Sequence, residues 1–298
     1  MNYITNPAVM TAENQRKMIF SLKKFYPSLG VRVIGRSLCQ RPIFSLSVGR
    51  SENPLLIAAG FHGQEWLTSL LALRFTEILL RSKTTRTPLW GIDPASISRS
   101  VVIVPCVNPD GVQIAINGVD GAGRYAESYS KIISSSNEKW SANARGVDLN
   151  HNFDAGWNIL REMEIDSGIV APSPRRYGGY MPESEPESKA IASFTRMIKP
   201  RMAIALHSQG EEIFWEYGKN RPPRSRELAG VFSAVSGYTL VENEGLASHG
   251  GFKDWFIDYF NKPAFTVEIG KGVNPLPLSD FDGILKKTIP MLTVASVL

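Results

Sequence analysis

The chain has 298 residues, 43% of them hydrophobic, and its 33 basic and 28 acidic residues give a formal net charge of +5. This length and apolar content suffice for one sizeable core, and we expect a single domain over residues 1–298. The basic residues are scattered rather than run together, and no apolar stretch reaches the roughly 18 residues that a membrane span requires. We therefore expect neither a nucleic-acid partner nor a membrane partner.

The N-terminal residues lack the basic start and the unbroken apolar core of a secretory signal, which favours a cytoplasmic location. The two cysteines, Cys39 and Cys106, could form only one pair. Because Cys106 lies in an apolar run, both are interpreted as free thiols in a reducing compartment. The sequence carries no signal for an oligomeric state.

Short apolar, β-branched runs alternate with segments of helical period, which is typical of helices packed on a largely parallel sheet. The fold class predicted from this alternation is α/β. In chain order the predicted elements are a helical lead-in within 1–30, a hairpin of strands at 31–34 and 43–48, central strands at 55–60, 101–107, 202–206 and 264–269, and helices at 65–80, 183–198, 224–236, 253–259 and 281–294.

Two long polar stretches, 117–141 and 155–180, exceed simple connections, and we expect substrate contacts there because long loops in compact enzymes usually build the site. The string Asn108-Pro109-Asp110-Gly111 is interpreted as ordinary turn chemistry.

A first site signal follows the predicted strand at 55–60, where Phe61-His62-Gly63-Gln64-Glu65 opens a helix. His62 and Glu65, three residues apart, can offer an imidazole nitrogen and a carboxylate oxygen to one ion, and a catalytic zinc uses three such ligands plus a water. A third candidate is His207, which ends the strand at 202–206. Alone it would more often be a core histidine, but beside the other two it is predicted to be a ligand.

A carboxylate, Glu268, lies inside the apolar strand at 264–269. Burying an unpaired charge costs several kcal/mol, so Glu268 is either half of a buried ion pair or a general base that takes a proton from water activated by the metal. In the string Gly146-Val147-Asp148-Leu149-Asn150, Asp148 could accept the free ring N–H of a ligating histidine, and Asn150 could donate to substrate.

The strings FHGQEW, NPDG, GVDLNHNFD, ALHS and FTVEIG occur here in the order seen in the zinc carboxypeptidase superfamily, which this chain resembles over nearly its whole length. The resemblance implies one α/β/α domain on a twisted, mixed eight-stranded sheet with helices on both faces. It also implies one zinc ion per chain, held by His62, Glu65 and His207, with Glu268 as the catalytic base.

Departures from the family pattern concern substrate. His151 stands where the digestive enzymes carry an arginine that clamps the terminal carboxylate, and Leu246 stands where they carry a mobile tyrosine. A histidine cannot make the bidentate fork of a guanidinium. The same alignment places Lys253 at the floor of the pocket for the residue after the cut, unless it is a surface lysine of a helix. For the cation that polarises the carbonyl, Arg145 is the first candidate and Lys139 the second.

Within the superfamily, the strings NARGVDLNHNFDAGW, RYGG and PESEPE look like those of bacterial γ-D-glutamyl-meso-diaminopimelate peptidases. This implies a small cell-wall peptide as substrate. A conventional metallocarboxypeptidase that releases a possibly acidic C-terminal residue, a small-amide deacylase on the same fold, and a catalytically silent binding protein are the alternatives.

Overall fold

The computed structural model describes residues 3–134, 136–241 and 249–298. Within these ranges the strands are β1 (Gly30–Arg36), β2 (Pro42–Val48), β3 (Leu55–Ala59), β4 (Val101–Val104), β5 (Met202–His207), β6 (Glu212–Phe214), β7 (Thr239–Val241) and β8 (Ala264–Glu268). They form one sheet in the order β1-β2-β4-β3-β5-β8-β6-β7. The central strands β4, β3, β5 and β8 are parallel, and the strand on each side of them, β2 next to β4 and β6 next to β8, runs antiparallel to them. The predicted α/β class with a mixed eight-stranded sheet is confirmed.

The helices in the described ranges are α1 (Ala12–Phe25), α2 (Trp66–Thr85), α3 (Pro109–Asn117), α4 (Ala126–Ser134), α5 (Trp157–Asp166), α6 (Pro186–Ile198), α7 (Ser225–Ser236), α8 (Phe252–Phe260) and α9 (Phe281–Val297). Side chains of α1, α2, α7 and α9 share one apolar cluster, and those of α6 and α8 share a second. The helices therefore cover both faces of the sheet.

The central strands are buried on both sides, as β3 illustrates. Its Leu55, Ile57 and Ala59 belong to the first cluster, whereas Leu56 and Ala58 belong to the second. Successive side chains of a strand point to opposite faces, so a run without polar residues is what a strand between two helical layers requires. This run then ends at a glycine, and the polar residues that follow lie at the edge of the sheet.

The sequence did not predict five of the elements in the described ranges, which are the helices α3, α4 and α5 and the strands β6 and β7. The Asn-Pro-Asp-Gly string begins α3 rather than forming a simple turn, because the Asn108 side chain accepts from the Gly111 N–H at 2.8 Å and Pro109 takes the first helical position. Helices α4 and α5 lie inside the stretches interpreted as loops. The first buries no residue and the second buries only Leu160 and Glu164, so neither contributes a wide buried face to the core.

In the described part of the chain, no helix combines the length and apolar composition that crossing a bilayer demands. Cys39 is partly buried and Cys106 is buried, and neither forms a disulfide.

Candidate metal centre and its cavity

Three adjacent parallel strands deliver polar side chains to one edge of the sheet. His62 follows β3 after a two-residue turn, while β5 ends at His207 and β8 ends at Glu268. His207 and Glu268 are direct neighbours in the register of β5 and β8. Because β3, β5 and β8 are consecutive and parallel, their carboxyl ends meet, which is where an open α/β sheet binds ligands.

His62, Glu65 and His207 converge there. The Nδ1 atoms of the two histidines lie 3.3 Å apart, His207 Nδ1 lies 3.1 Å from Glu65 Oε2, and His62 Nδ1 lies 2.7 Å from Glu65 Oε1. Donors about 2.0–2.1 Å from a tetrahedral zinc are roughly 3.3 Å from one another. The observed spacings, two nitrogens and a carboxylate oxygen, therefore fit a zinc site.

The charges of these groups also favour a bound cation. Although burial opposes it, Glu65 and Asp148 raise the pKa of His62 well above its ordinary value. Burial would raise the pKa of Glu65, but His62 and His207 hold it at about 2, while burial lowers the pKa of His207. Two buried carboxylates beside two imidazoles thus create an excess of negative charge that a metal ion can neutralise.

The turn that carries His62 and Glu65 is held by the string that begins α3. The Asn108 side-chain amide donates to the carbonyl of Phe61 at 2.9 Å, and the Gly63 N–H donates to the carbonyl of Ser141 at 2.9 Å. A Cβ on Gly63 would lie 2.2 Å from the carbonyl oxygen of Gly111, so only glycine allows this close approach. The packing of α3 against this turn therefore orients both predicted ligands.

Asp148 connects the metal centre to a second region. Its Oδ1 lies 3.0 Å from His62 Nε2 and accepts from the Asn150 N–H at 3.1 Å, and its Oδ2 accepts from the Arg176 N–H at 2.8 Å. The bond to Nε2 leaves Nδ1 of His62 as the nitrogen that can bind metal. Burial would raise the pKa of Asp148, but His62 and His151 outweigh it and lower that pKa far below its ordinary value.

Glu268 lies beside the donor set without belonging to it. Its carboxylate is partly exposed, and none of the residues in the described ranges donates a hydrogen bond to it or forms an ion pair with it. Burial, together with the negative charge of Glu65, raises the pKa of Glu268 well above its ordinary value. A carboxyl group of this kind holds a proton readily, which suits a group that transfers one.

A cavity of about 730 Å³ opens over these residues. Its lining includes His62, Glu65, Asp148, Asn150, His151, Lys253 and Glu268 together with further charged side chains. The Asn150 side-chain oxygen accepts from the Phe252 N–H at 3.0 Å, and its amide N–H groups donate to no residue in the described ranges.

His151 and Lys253 line the cavity, but both are tied to protein groups. His151 Nδ1 lies 2.8 Å from the buried carboxylate of Glu164 and 2.9 Å from the carbonyl of Arg176, so this nitrogen carries the proton and Nε2 is its other ring atom. Lys253 is only 3% exposed and is ion-paired with Asp254. The predicted positive floor of the pocket is therefore a compensated pair rather than an isolated charge.

One predicted residue, Arg145, is not brought to the cavity. Arg145 does not line it, and its guanidinium lies 3.7 Å from the carboxylate of Glu185, which draws it toward the protein beside α6. Proximity in sequence to the Gly-Val-Asp string was its only support. Lys139, the second candidate, does line the cavity. Leu246 lies outside the described residues.

Several cavity residues were not singled out from the sequence, among them Arg175, Arg176 and His249. The arginines come from the stretch predicted to contact substrate, where nothing in the local pattern separates them from surface residues. His249, whose Nδ1 lies 3.1 Å from the hydroxyl of Tyr217, is the last of the four histidines and precedes the Gly-Gly string used to place Lys253.

A His-Glu-His donor set at the carboxyl ends of parallel strands, with a carboxylate beside it in an open charged cavity, defines a zinc metallopeptidase. The sequence model of the zinc carboxypeptidase family matches residues 16–289, and the chain belongs to this family. The resemblance stated from the motifs is thereby confirmed.

Relatives agree with this assignment. The gamma-D-glutamyl-L-diamino acid endopeptidase 1 of Lysinibacillus sphaericus is 36% identical over 91% of this chain and 68% of its own length. The structure of bovine thrombin-activatable fibrinolysis inhibitor superposes with a TM-score of 0.76 at 22% identity and covers 99% of this chain and 97% of the other, which supports the fold. A murein-tripeptide amidase from Escherichia coli O157 superposes with a TM-score of 0.56 at 25% identity, over 88% of this chain and 91% of the other.

Proposed function

We propose that this zinc metallopeptidase hydrolyses the amide between the side-chain carboxyl group of D-glutamate and meso-diaminopimelate in cell-wall peptides. The observation that carries the proposal is the cavity: it joins the donor set and Glu268 to side chains of both charge signs. The substrate has carboxylates on both sides of its scissile amide and an ammonium group at the far end of diaminopimelate. The names of the endopeptidase and amidase relatives support the same substrate class.

The proposed catalytic roles use the residues that the fold brings together at the strand ends. His62, Glu65 and His207 would hold the zinc ion, which when bound would supply a Lewis acid for the water and for the scissile carbonyl. Glu268, whose carboxylate is free of hydrogen bonds within the described ranges, takes the proton from water and passes it to the leaving amine. Asp148 orients His62 through its ring Nε2.

The cation that stabilises the oxyanion is proposed to be Lys139 rather than Arg145. Lys139 lines the cavity, and its ammonium group donates to the carbonyl of Asn274 at 2.5 Å, which holds it at the rim. An ammonium group has three donors, so this bond leaves two N–H groups for a developing negative oxygen. Arg145, by contrast, lies beside Glu185 and outside the cavity.

Substrate contacts are proposed for three further residues. The free amide N–H groups of Asn150 and Nε2 of His151 face the leaving residue. The ion pair of Lys253 with Asp254 offers one positive and one negative group, which complements the ammonium and carboxylate at the far end of diaminopimelate. A pocket floor that carries both charges suits a zwitterion better than a purely acidic side chain.

The test is hydrolysis of L-Ala-γ-D-Glu-meso-diaminopimelate by the zinc-loaded protein, followed by chromatography of the products. Release of free diaminopimelate that a chelator abolishes and zinc restores would support the proposal. An ordinary L-peptide with an acidic C-terminal residue is the comparison substrate, because faster hydrolysis of that peptide would indicate a conventional carboxypeptidase. Absence of turnover of the tripeptide by fully metallated protein would refute the proposed substrate.

A further inference from the structure

The basic side chains that line the cavity differ in what they contact. They are Lys139, Arg175, Arg176 and Lys253. Each lysine ammonium donates to a main-chain carbonyl at 2.5 Å. The two guanidinium groups, in contrast, form no ion pair and no hydrogen bond with any residue in the described ranges. The cavity therefore contains two adjacent arginines whose donors are available to a ligand.

Main-chain contacts place Arg176 beside the metal centre. Its N–H donates to Asp148 at 2.8 Å, and its carbonyl accepts from His151 Nδ1 at 2.9 Å. Asp148 in turn contacts the ring of His62, so one carboxylate joins Arg176 to a proposed zinc ligand. Arg176 also has a φ of +69°, a left-handed conformation that is strained for a residue with a side chain and persists only where the surroundings impose it.

Arg176 can supply the carboxylate-binding cation that position 151, a histidine, does not provide. His151 uses its proton-bearing Nδ1 on Glu164 and Arg176, so it has no fork of donors for a carboxylate. A guanidinium has five N–H donors in a planar arrangement that matches a carboxylate in two parallel bonds. Arg176, bonded through its own carbonyl to His151, brings such a group to the same part of the cavity.

We propose that Arg176, with Arg175 beside it, binds the carboxylate that adjoins the scissile amide on the leaving residue. This inference rests on the proposed function, since it assigns a group of that substrate to a residue of this chain. The pair acts on binding rather than on the chemical step, because it holds a group that carries the same charge before and during hydrolysis.

The experiment compares two substrates, the tripeptide and an analogue in which the carboxylate next to the scissile nitrogen is a carboxamide. Arg176→Gln should raise KM for the tripeptide by about 10- to 100-fold, the range expected for a lost charge-assisted bond, and should leave KM for the carboxamide within about twofold of wild type. Arg176→Lys keeps the charge but not the planar pair of donors, so its KM for the tripeptide should lie between those of wild type and Arg176→Gln. Arg50→Gln is the matched control, since Arg50 is exposed before the amino end of β3.

A second measurement does not depend on turnover. Calorimetric titration of the zinc-loaded proteins with meso-diaminopimelate should give a Kd about 10-fold or more weaker for Arg176→Gln than for wild type and for Arg50→Gln. Equal Kd values, or no binding by wild type, would overturn the inference. So would an equal loss of kcat on both substrates with unchanged KM, which would assign Arg176 to the oxyanion instead.

The two proposals fail in different ways. If wild type does not cleave the tripeptide, the proposed substrate is wrong, and the titration alone decides the role of Arg176. If wild type cleaves it and Arg176→Gln treats both substrates as wild type does, the proposed substrate stands and the assignment of Arg176 is wrong.

Discussion

The strand ends of β3, β5 and β8 and the connection between α4 and α6 build the site in different ways. At the strand ends, His207 and Glu268 are positioned by the hydrogen-bond ladder of the sheet itself. In the connection, Asn150 and Arg176 are positioned by bonds from their main-chain N–H groups to the Asp148 carboxylate. The first arrangement brings together the proposed metal ligands and the proposed base. The second carries side chains that are proposed to contact the substrate.

Removing the metal should have the largest effect on activity. It tests whether the residues at the strand ends need the ion for hydrolysis and for stability. Chelation should abolish hydrolysis, and it should lower the melting temperature because a ligand at 100 times its Kd stabilises the folded state by about 2.7 kcal/mol. His207→Ala should show the same loss without chelator and bind less than one zinc per chain by elemental analysis. A variant that retains stoichiometric zinc and full activity would remove His207 from the donor set.

Glu268→Gln should lower kcat by about 10²- to 10⁴-fold, because an amide cannot accept the proton from water. Zinc content should remain that of wild type, since Glu268 lies outside the converging donors. Steady-state kinetics with the tripeptide and metal analysis of the same preparation measure both. Glu127→Gln, at an exposed glutamate of α4, is the control. Unchanged kcat in Glu268→Gln would show that another group is the base.

Lys139→Met should lower kcat by about 10²-fold with a smaller change in KM, as expected when one donor to the oxyanion is lost. The effect should be equal for the tripeptide and its carboxamide analogue, which separates Lys139 from Arg176. Lys131→Met serves as control because Lys131 is exposed on α4. A rise in KM confined to the tripeptide would instead make Lys139 a carboxylate-binding residue.

Asp148→Asn should have the smallest effect on activity. It tests the residue that connects the two regions through its hydrogen bonds. The substitution weakens the bond to His62 Nε2, and loss of such a contact typically lowers metal affinity by about 10- to 100-fold. Activity at limiting zinc should fall and should recover when zinc is added in excess. Competition with a fluorescent chelator gives the affinity, and Asp120→Asn at an exposed position is the control. Wild-type affinity in Asp148→Asn would mean that this bond does not tune the metal.

The sequence predicts the strand ends better than the connection for a physical reason. Each central strand is a short apolar run, so its end and the polar residue that follows are visible locally, as at His62, His207 and Glu268. The side chains of Arg175 and Arg176 reach the cavity because the main chain of Arg176 is hydrogen-bonded to Asp148 and His151, which are distant in sequence. No periodicity or composition reports such bonds. Arg145 shows the converse error, since nearness to a motif does not reveal the carboxylate that holds it elsewhere.

The fold follows the same rule. Central strands and the helices that bury a wide apolar face agree with their predicted positions within a few residues. The short strands β6 and β7 and the helices α4 and α5 were missed because they bury few side chains. The formation of these elements depends on contacts with residues that are distant in the sequence.

The three hydrogen bonds to Asp148 have an evolutionary consequence. Two of its donors are main-chain N–H groups, which every residue type except proline provides. The side chains at positions 150 and 176 can therefore be substituted while the Asp148 carboxylate and the imidazole it orients stay in place. A lineage could acquire a new substrate by substitutions at these positions without passing through a form that has lost its zinc.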